Sequence, residues 1–216
     1  MLDMRWTRLT RAALATAALS TLVGCTTLVS GSAVKSPGAE SAKTGPCEGV
    51  SAPMTSIESH SPGEPQLRIP QPQGWERTTL FDSQIVRYAI VNRDLIAKKF
   101  APNAVVTLET ADGSADPQEV LDGERRGLTA GLGATDLVTT PTTRCGYRAE
   151  SVTYTAPPMG EIPARRSTML AVVGVFGGKT YATTLTVGSA DPDNPAFTRD
   201  ANTILTGFQM LPPGTS

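Results

Sequence analysis

Apolar and polar positions change period several times between residues 66 and 212, and each change marks an element. In "PQLRIPQPQGW", Pro65 to Trp75, a short strand at Leu67–Ile69 runs into a Pro- and Gly-rich turn that fixes the position of Trp75. "SQIVRYAIVN", Ser83 to Asn92, alternates as a strand should, with Ile85, Ala89 and Val91 on one face and Val86, Tyr88 and Ile90 on the other. "NAVVTLET", Asn103 to Thr110, is the next strand. Asp116-Pro117-Gln118-Glu119 then supplies an N-cap, a proline at N1 and a carboxylate at N3, and Val120, Leu121, Leu128 and Leu132 follow at helical spacing. Asn194-Pro195 repeats that start, and Phe197, Ala201, Ile204 and Phe208 form an apolar stripe with Leu205 beside it.

Three strands are predicted between the helices: Arg148–Thr155, Ser167–Phe176 and Thr180–Val187. "MLAVVGVF", Met169 to Phe176, is apolar at consecutive positions, so both its faces must be covered, as in a central strand. Thr180–Val187 sets Tyr181, Thr183, Leu185 and Val187 against Thr and Ala, the pattern of a less buried neighbour. The order β-β-β-α-β-β-β-α predicts an α+β domain with a mostly antiparallel sheet and flanking helices.

The first residues follow another logic. Arg5, Arg8 and Arg11 precede an apolar run from Ala12 to Val23, too short to span a bilayer. A basic start and a short apolar segment are the marks of an export signal. Leu22-Val23-Gly24-Cys25 resembles the bacterial lipobox, which implies cleavage after Gly24 and a lipid on the Cys25 sulfur. Residues 1–24 are thus expected to be a lipoprotein signal peptide, leaving the protein on the membrane by an acyl anchor.

Removing that segment takes three basic residues and one acidic residue from totals of 19 and 20, leaving 16 and 19, a net charge of −3. Nucleic-acid binding needs a concentrated basic face, and this chain offers only isolated pairs such as Lys98-Lys99, Arg125-Arg126 and Arg165-Arg166. From Thr26 to about Pro65 the composition is Ser, Thr, Ala, Gly and Pro with few large apolar residues. Such a segment buries too little surface to offset its ordering entropy, so residues 25–65 are expected to be the lipidated Cys and a flexible tether. A single globular domain at 66–212 and a short tail at 213–216 complete the division. Apart from Cys25, the chain holds Cys47 and Cys145. An even pair in an exported chain points to a disulfide, which would close a loop of about 100 residues, worth roughly 4.7 kcal/mol in the chain-entropy model. A metal pair or two free thiols are the alternatives, and a chain with one histidine makes a poor zinc site.

Candidate chemistry is sparse. His60 is the only histidine and lies in the polar stretch "SIESHSPGEP", away from any nucleophile. "GVFGGKT", Gly174 to Thr180, echoes a phosphate loop but has Val173 where that motif needs glycine, and strands flank it on both sides. Gly177-Gly178 reads as a two-residue hairpin turn. The glycines of "GLGATD" read as helix C-caps. "DPDN" lacks the glycine and glutamate of a calcium loop, since those positions hold Ala196 and Asn202. Glu109, Asp112, Glu150 and Glu161 are the carboxylates from which a hydrolase would have to draw a pair. Trp75 is a possible ligand or partner surface, with burial in the core as its alternative.

The lipobox, the low-complexity stretch, "IPQPQGW", the helix opened by "DPQEV", the hairpin with its long apolar strand and the terminal helix together resemble the LpqN-type lipoproteins of mycobacteria and relatives. That resemblance implies a Mog1/PsbP-like fold, an α/β/α sandwich around an antiparallel sheet. It also implies a place in cell-envelope biology, with contacts to lipid-export machinery and no settled catalysis. The expected function is a membrane-anchored, extracytoplasmic binding or accessory module without a cofactor, engaging an envelope or export-complex protein. The alternatives are a carrier or sensor of an envelope lipid or glycolipid, which predicts an enclosed apolar cavity, a hydrolase using carboxylates, and a wall-binding structural role.

Overall fold

The computed structural model describes residues 45–214. The signal peptide, the first part of the predicted tether and Cys25 lie outside the described residues. Ten strands and two α-helices follow in the order β1 (Met54–Ile57), β2 (Gln66–Pro70), β3 (Trp75–Arg77), β4 (Val86–Asn92), β5 (Asn103–Asp112), α1 (Pro117–Arg126), β6 (Thr135–Arg144), β7 (Tyr147–Ala156), β8 (Arg165–Phe176), β9 (Lys179–Gly188), α2 (Pro195–Gly207) and β10 (Gln209–Leu211). Seven strands form one sheet in the order β3-β4-β5-β9-β8-β7-β6, and β1-β2-β10 form a second. Every pairing is antiparallel.

The large sheet is covered on both faces, as the composition of β8 demands. Leu170 and Val172 enter a core with Leu185, Val187, Ile204 and Phe208, under α2 and the small sheet. Met169, Ala171 and Val173 enter a second core with Leu121 and Leu128 of the α1 segment. The result is the expected α+β fold, a helix layer on each side of a mostly antiparallel sheet. Both predicted caps form. Asp116 Oδ1 accepts from the backbone N–H of Gln118 and Glu119 at 2.7 and 3.3 Å, and Asn194 Oδ1 from those of Ala196 and Phe197 at 3.0 and 3.3 Å. Beyond α1 the chain continues through a π-helical turn, Gly127–Gly131, and is released at Gly133, whose φ of 76° suits glycine.

Four expectations need correcting. β9 is not a less buried neighbour of β8; it lies between β5 and β8, in the middle of the sheet. Its threonines tolerate this because their hydroxyls are used: Thr183 Oγ1 donates to the Thr107 carbonyl at 2.7 Å, Thr184 Oγ1 meets Thr107 Oγ1 at 2.7 Å, and Thr180 Oγ1 donates to the Gly113 carbonyl at 2.7 Å. The strand expected from Ser83 begins at Val86, and a register shift between Val86 and Tyr88 breaks its alternation, leaving Ile85 half-exposed. β6 was unforeseen because threonines on both faces erase its period and Pro141 argues against a strand. Arg144 and Tyr147 flank a two-residue turn, so they form a hydrogen-bonded pair, and alternation from there puts Pro141 at an open pair. Its missing N–H would have faced the free edge, where proline is tolerated.

The fourth correction moves the domain boundary. Folded structure begins well before residue 66: β1 pairs with β2, and Ile57 is buried in the core. Glu64, inside the stretch expected to be a tether, forms an ion pair with Arg87 of β4 at 2.7 Å, both side chains under a tenth exposed. Glu64 also accepts from the His60 backbone N–H and the Ser61 hydroxyl, each at 2.9 Å. Low apolar content misled here because strand pairing, one satisfied buried charge and the single buried Ile57 are enough to hold the segment. Burial pushes the Glu64 carboxyl up, but Arg87 together with His60 and Ser61 outweighs it and holds the group below its ordinary 4.5.

A carboxyl with a depressed folded-state pKa contributes stability that is present above its unfolded value and lost as pH falls through the folded value. Chemical denaturation measured from neutral pH to below 4.5 should therefore show an acid limb that is flatter in Glu64→Gln; identical limbs in parent and variant would sink this account. Packing gives a second expectation at the end of α2. A Cβ on Gly207 would lie 2.4 Å from Val50 Cγ2 and 2.6 Å from Pro70 Cγ. Gly207→Ala, worth up to about 1 kcal/mol of gain in a free helix, should instead lower unfolding free energy by about 1–3 kcal/mol through overpacking.

Candidate binding surface

Cys47 and Cys145 form a disulfide with a sequence separation of 98 and a Cα–Cα distance of 4.2 Å. Cys145 and Gly146 have φ of 51° and 85°, so they make the two central positions of a tight hairpin turn between β6 and β7. The Gly45 backbone N–H donates to the Cys145 carbonyl at 3.1 Å, which fastens the start of the described chain to that turn. Arg144 adds a bond from Nη1 to the Thr206 carbonyl at 2.9 Å, tying the same corner to the end of α2.

Trp75 is not a surface residue. It is 2% exposed, and its indole N–H donates to Asp200 Oδ2 of α2 at 3.0 Å. Asp200 is buried too, its other oxygen accepting from Arg199 Nε at 3.0 Å. The Pro-Gly turn sets Trp75 facing inward because a buried carboxylate is waiting there, and no sequence pattern marks Asp200 as its partner.

The four flagged carboxylates do not converge. Asp112 sits 3.7 Å from Lys179 beside the β8–β9 turn, whereas Glu161 pairs with Lys99 at 2.8 Å in loops at the opposite end of the sheet. Glu150 is buried and bound to Arg125, which also holds Asp122. Glu109 faces Glu124 of α1, whose carboxyl is pushed up by burial and then by the Glu109 charge. Among the described residues no three or more His, Cys, Asp or Glu side chains come together as a metal site would require. His60 is exposed and contributes only its backbone to Glu64. Gly177 and Gly178, with φ of 57° and 76°, form the hairpin turn their sequence indicates.

Concave surface borders β6. Three open depressions of about 560, 400 and 340 Å³ each draw on that strand. Val138 and Asp136 line the first with Thr153, Thr155 and Arg166, on one face of the sheet. Leu137 and Thr139 line the second against Arg125, Arg126 and Thr129 of the α1 segment, on the other face. Pro141, Thr142 and Thr143 line the third with Gln118, Arg148 and Glu150. No charged residue stands between Asp136 and Arg144, and Val138 is 64% exposed. Threonine hydroxyls, one amide, guanidinium groups and the carboxylates of Asp122, Asp136 and Glu150 thus surround a few apolar side chains. This surface suits contact with a polar or protein partner. None of the three depressions is an enclosed apolar cavity.

A helix on each side of a mostly antiparallel sheet, with an open, threonine-rich edge, defines an α+β sandwich module. Its sequence matches the family described as Probable lipoprotein LpqN over residues 48–211, and the chain belongs to that family. Among solved structures it is similar to LpqN of Mycobacterium tuberculosis, described as involved in cell envelope biogenesis, with 21% identity, a TM-score of 0.59, and coverage of 74% of this chain and 91% of that one. The Ran-binding protein Mog1p of Saccharomyces cerevisiae superposes more loosely, with a TM-score of 0.45 at 14% identity over 75% of this chain and 97% of that one. Curated proteins give no match.

The Trp75–Asp200 contact carries its own expectation. Trp75→Phe leaves a buried carboxylate oxygen without its donor and should lower unfolding free energy by about 1–3 kcal/mol. Urea denaturation checks this, and a variant as stable as the parent would contradict the assigned role.

Proposed function

We propose that this chain is a lipid-anchored lipoprotein on the extracytoplasmic face of the cell membrane. Its folded part is a non-catalytic binding or accessory module in cell-envelope biogenesis or lipid export. Three open depressions bordering β6 support the reading of a binding module, because they offer concave surface on both flanks of one exposed strand. Membership in the LpqN family supports the envelope setting, as does similarity to a mycobacterial protein described as involved in envelope biogenesis. The Leu22-Val23-Gly24-Cys25 sequence supports the anchor. No helix among the described residues is long and apolar enough to cross a membrane. The partner we favour is a protein of the envelope or of an export complex. Open, mixed lining fits a protein surface better than an acyl chain, which needs an enclosed apolar slot.

Two experiments test this reading. A photo-crosslinking residue at Val138, in cells, should trap a discrete protein partner, and one at the exposed, distant Glu58 should not. Trapping only lipid from Val138 would favour a carrier instead. Metabolic labelling with a clickable fatty acid should mark the protein and leave Cys25→Ser unmarked; label persisting in the variant would overturn the anchor.

A further inference from the structure

The β3–β4 connection, residues 78–85, presents large apolar residues at the surface. Its apolar side chains face water: Leu80 is 82% exposed, Ile85 50% and Phe81 42%. Side-chain and backbone hydrogen bonds brace it. Arg77 of β3 clamps Asp82 through two bonds of 2.8 and 2.7 Å, and stacks 4.4 Å from the centre of the Tyr88 ring. Ser83 Oγ accepts from the backbone N–H of Ile85 and Val86 at 3.3 and 3.0 Å, and the Leu108 N–H donates to the Ile85 carbonyl at 3.0 Å. Scattered single apolar residues on a surface need no explanation, but three on one braced loop mark a contact. The loop's only charged residue, Asp82, is neutralised by Arg77, so nothing charged and unpaired stands among them.

The place where the undescribed chain joins the fold indicates what that contact is. Gly45 and Cys47 are held at the β6–β7 turn. Register carries that turn to the same end of the sheet as the β8–β9 turn and the end of β5: Arg148 pairs with Val173, Phe176 with Lys179, and Lys179 with Asp112. Val86 pairs with Thr107, so the β3–β4 connection opens toward that end as well. Nineteen residues lie between Cys25 and Gly45, a span of about 70 Å at most, so an anchor at Cys25 keeps this end within reach of the bilayer. Tethering raises the local concentration of a weak contact enough to populate it.

We infer that Leu80, Phe81 and Ile85 form a membrane-contact loop that enters the interfacial region of the bilayer and orients the anchored domain, turning the leash end of the sheet toward the lipid. This rests on the lipid anchor at Cys25. The test uses the full mature lipidated chain carrying Leu80→Trp, reconstituted in phosphatidylcholine vesicles. Lipids brominated in the upper acyl chain should reduce the added emission by about half, the behaviour of side chains at interfacial depth. Trp75, buried in the core, gives the background measured in the unsubstituted protein. Protein that floats with the vesicles but shows no added quenching overturns the loop contact while the anchor stands. Protein that fails to float overturns both. An Ile85→Trp variant should give the same quenching from the other side of the loop, and a response from Leu80→Trp alone would contradict a shared insertion.

Discussion

A strand that is apolar on both faces cannot leave either one in water, and β8 imposes that condition on this fold. Burying a Leu, Val or Met side chain contributes about 1.5–3 kcal/mol, and β8 offers such side chains in both directions. One face is closed by α1 and the other by α2 with the small sheet. The helix-opening signals at Asp116 and Asn194 are therefore where the chain begins to cover β8, each capped by the side chain that starts it. Its neighbour β9 shares the condition with a different chemistry, since threonine hydroxyls that bond to backbone and to one another let half-polar residues fill the centre of the sheet.

Buried charge then fixes how the layers sit. Asp200 of α2 receives the Trp75 indole, Glu64 receives Arg87, and Glu150 receives Arg125 of α1. Removing one partner of a buried pair costs far more than the pair contributes, so each contact discriminates against other packings more than it stabilises this one. The helices and the large sheet are thereby held as a rigid support. At the periphery, β6 ends the sheet with an edge that proline blunts against indiscriminate strand pairing.

Legibility in the sequence followed the source of order. Elements stabilised by apolar periodicity were readable: the stripe Phe197, Ala201, Ile204 and Phe208, the two-faced run Met169–Phe176, and the Gly177-Gly178 turn all stand where the pattern put them. Elements stabilised by pairing or by single polar contacts were not. β1 owes its place to β2 and to an ion pair 23 residues apart in sequence, and β6 to β7 alone. Trp75 carried the same ambiguity: its turn fixed a position, but only the distant Asp200 decides which way the ring faces. The surface around β6 was illegible for a related reason, since a concavity made by three elements leaves no signature in any one of them.

The disulfide has a mechanical consequence. A leash fixed at one end to a bilayer transmits pull into whatever its other end is joined to. Without the cross-link, that load would run through residues 48–53 into β1, a four-residue edge strand. Cys47 lies ahead of β1 and diverts the load into Cys145, at the turn joining two ten-residue strands. With the chain anchored at Cys25, tension would reach the fold through a covalent bond at the corner of its main sheet, and β1 would be left outside the line of force.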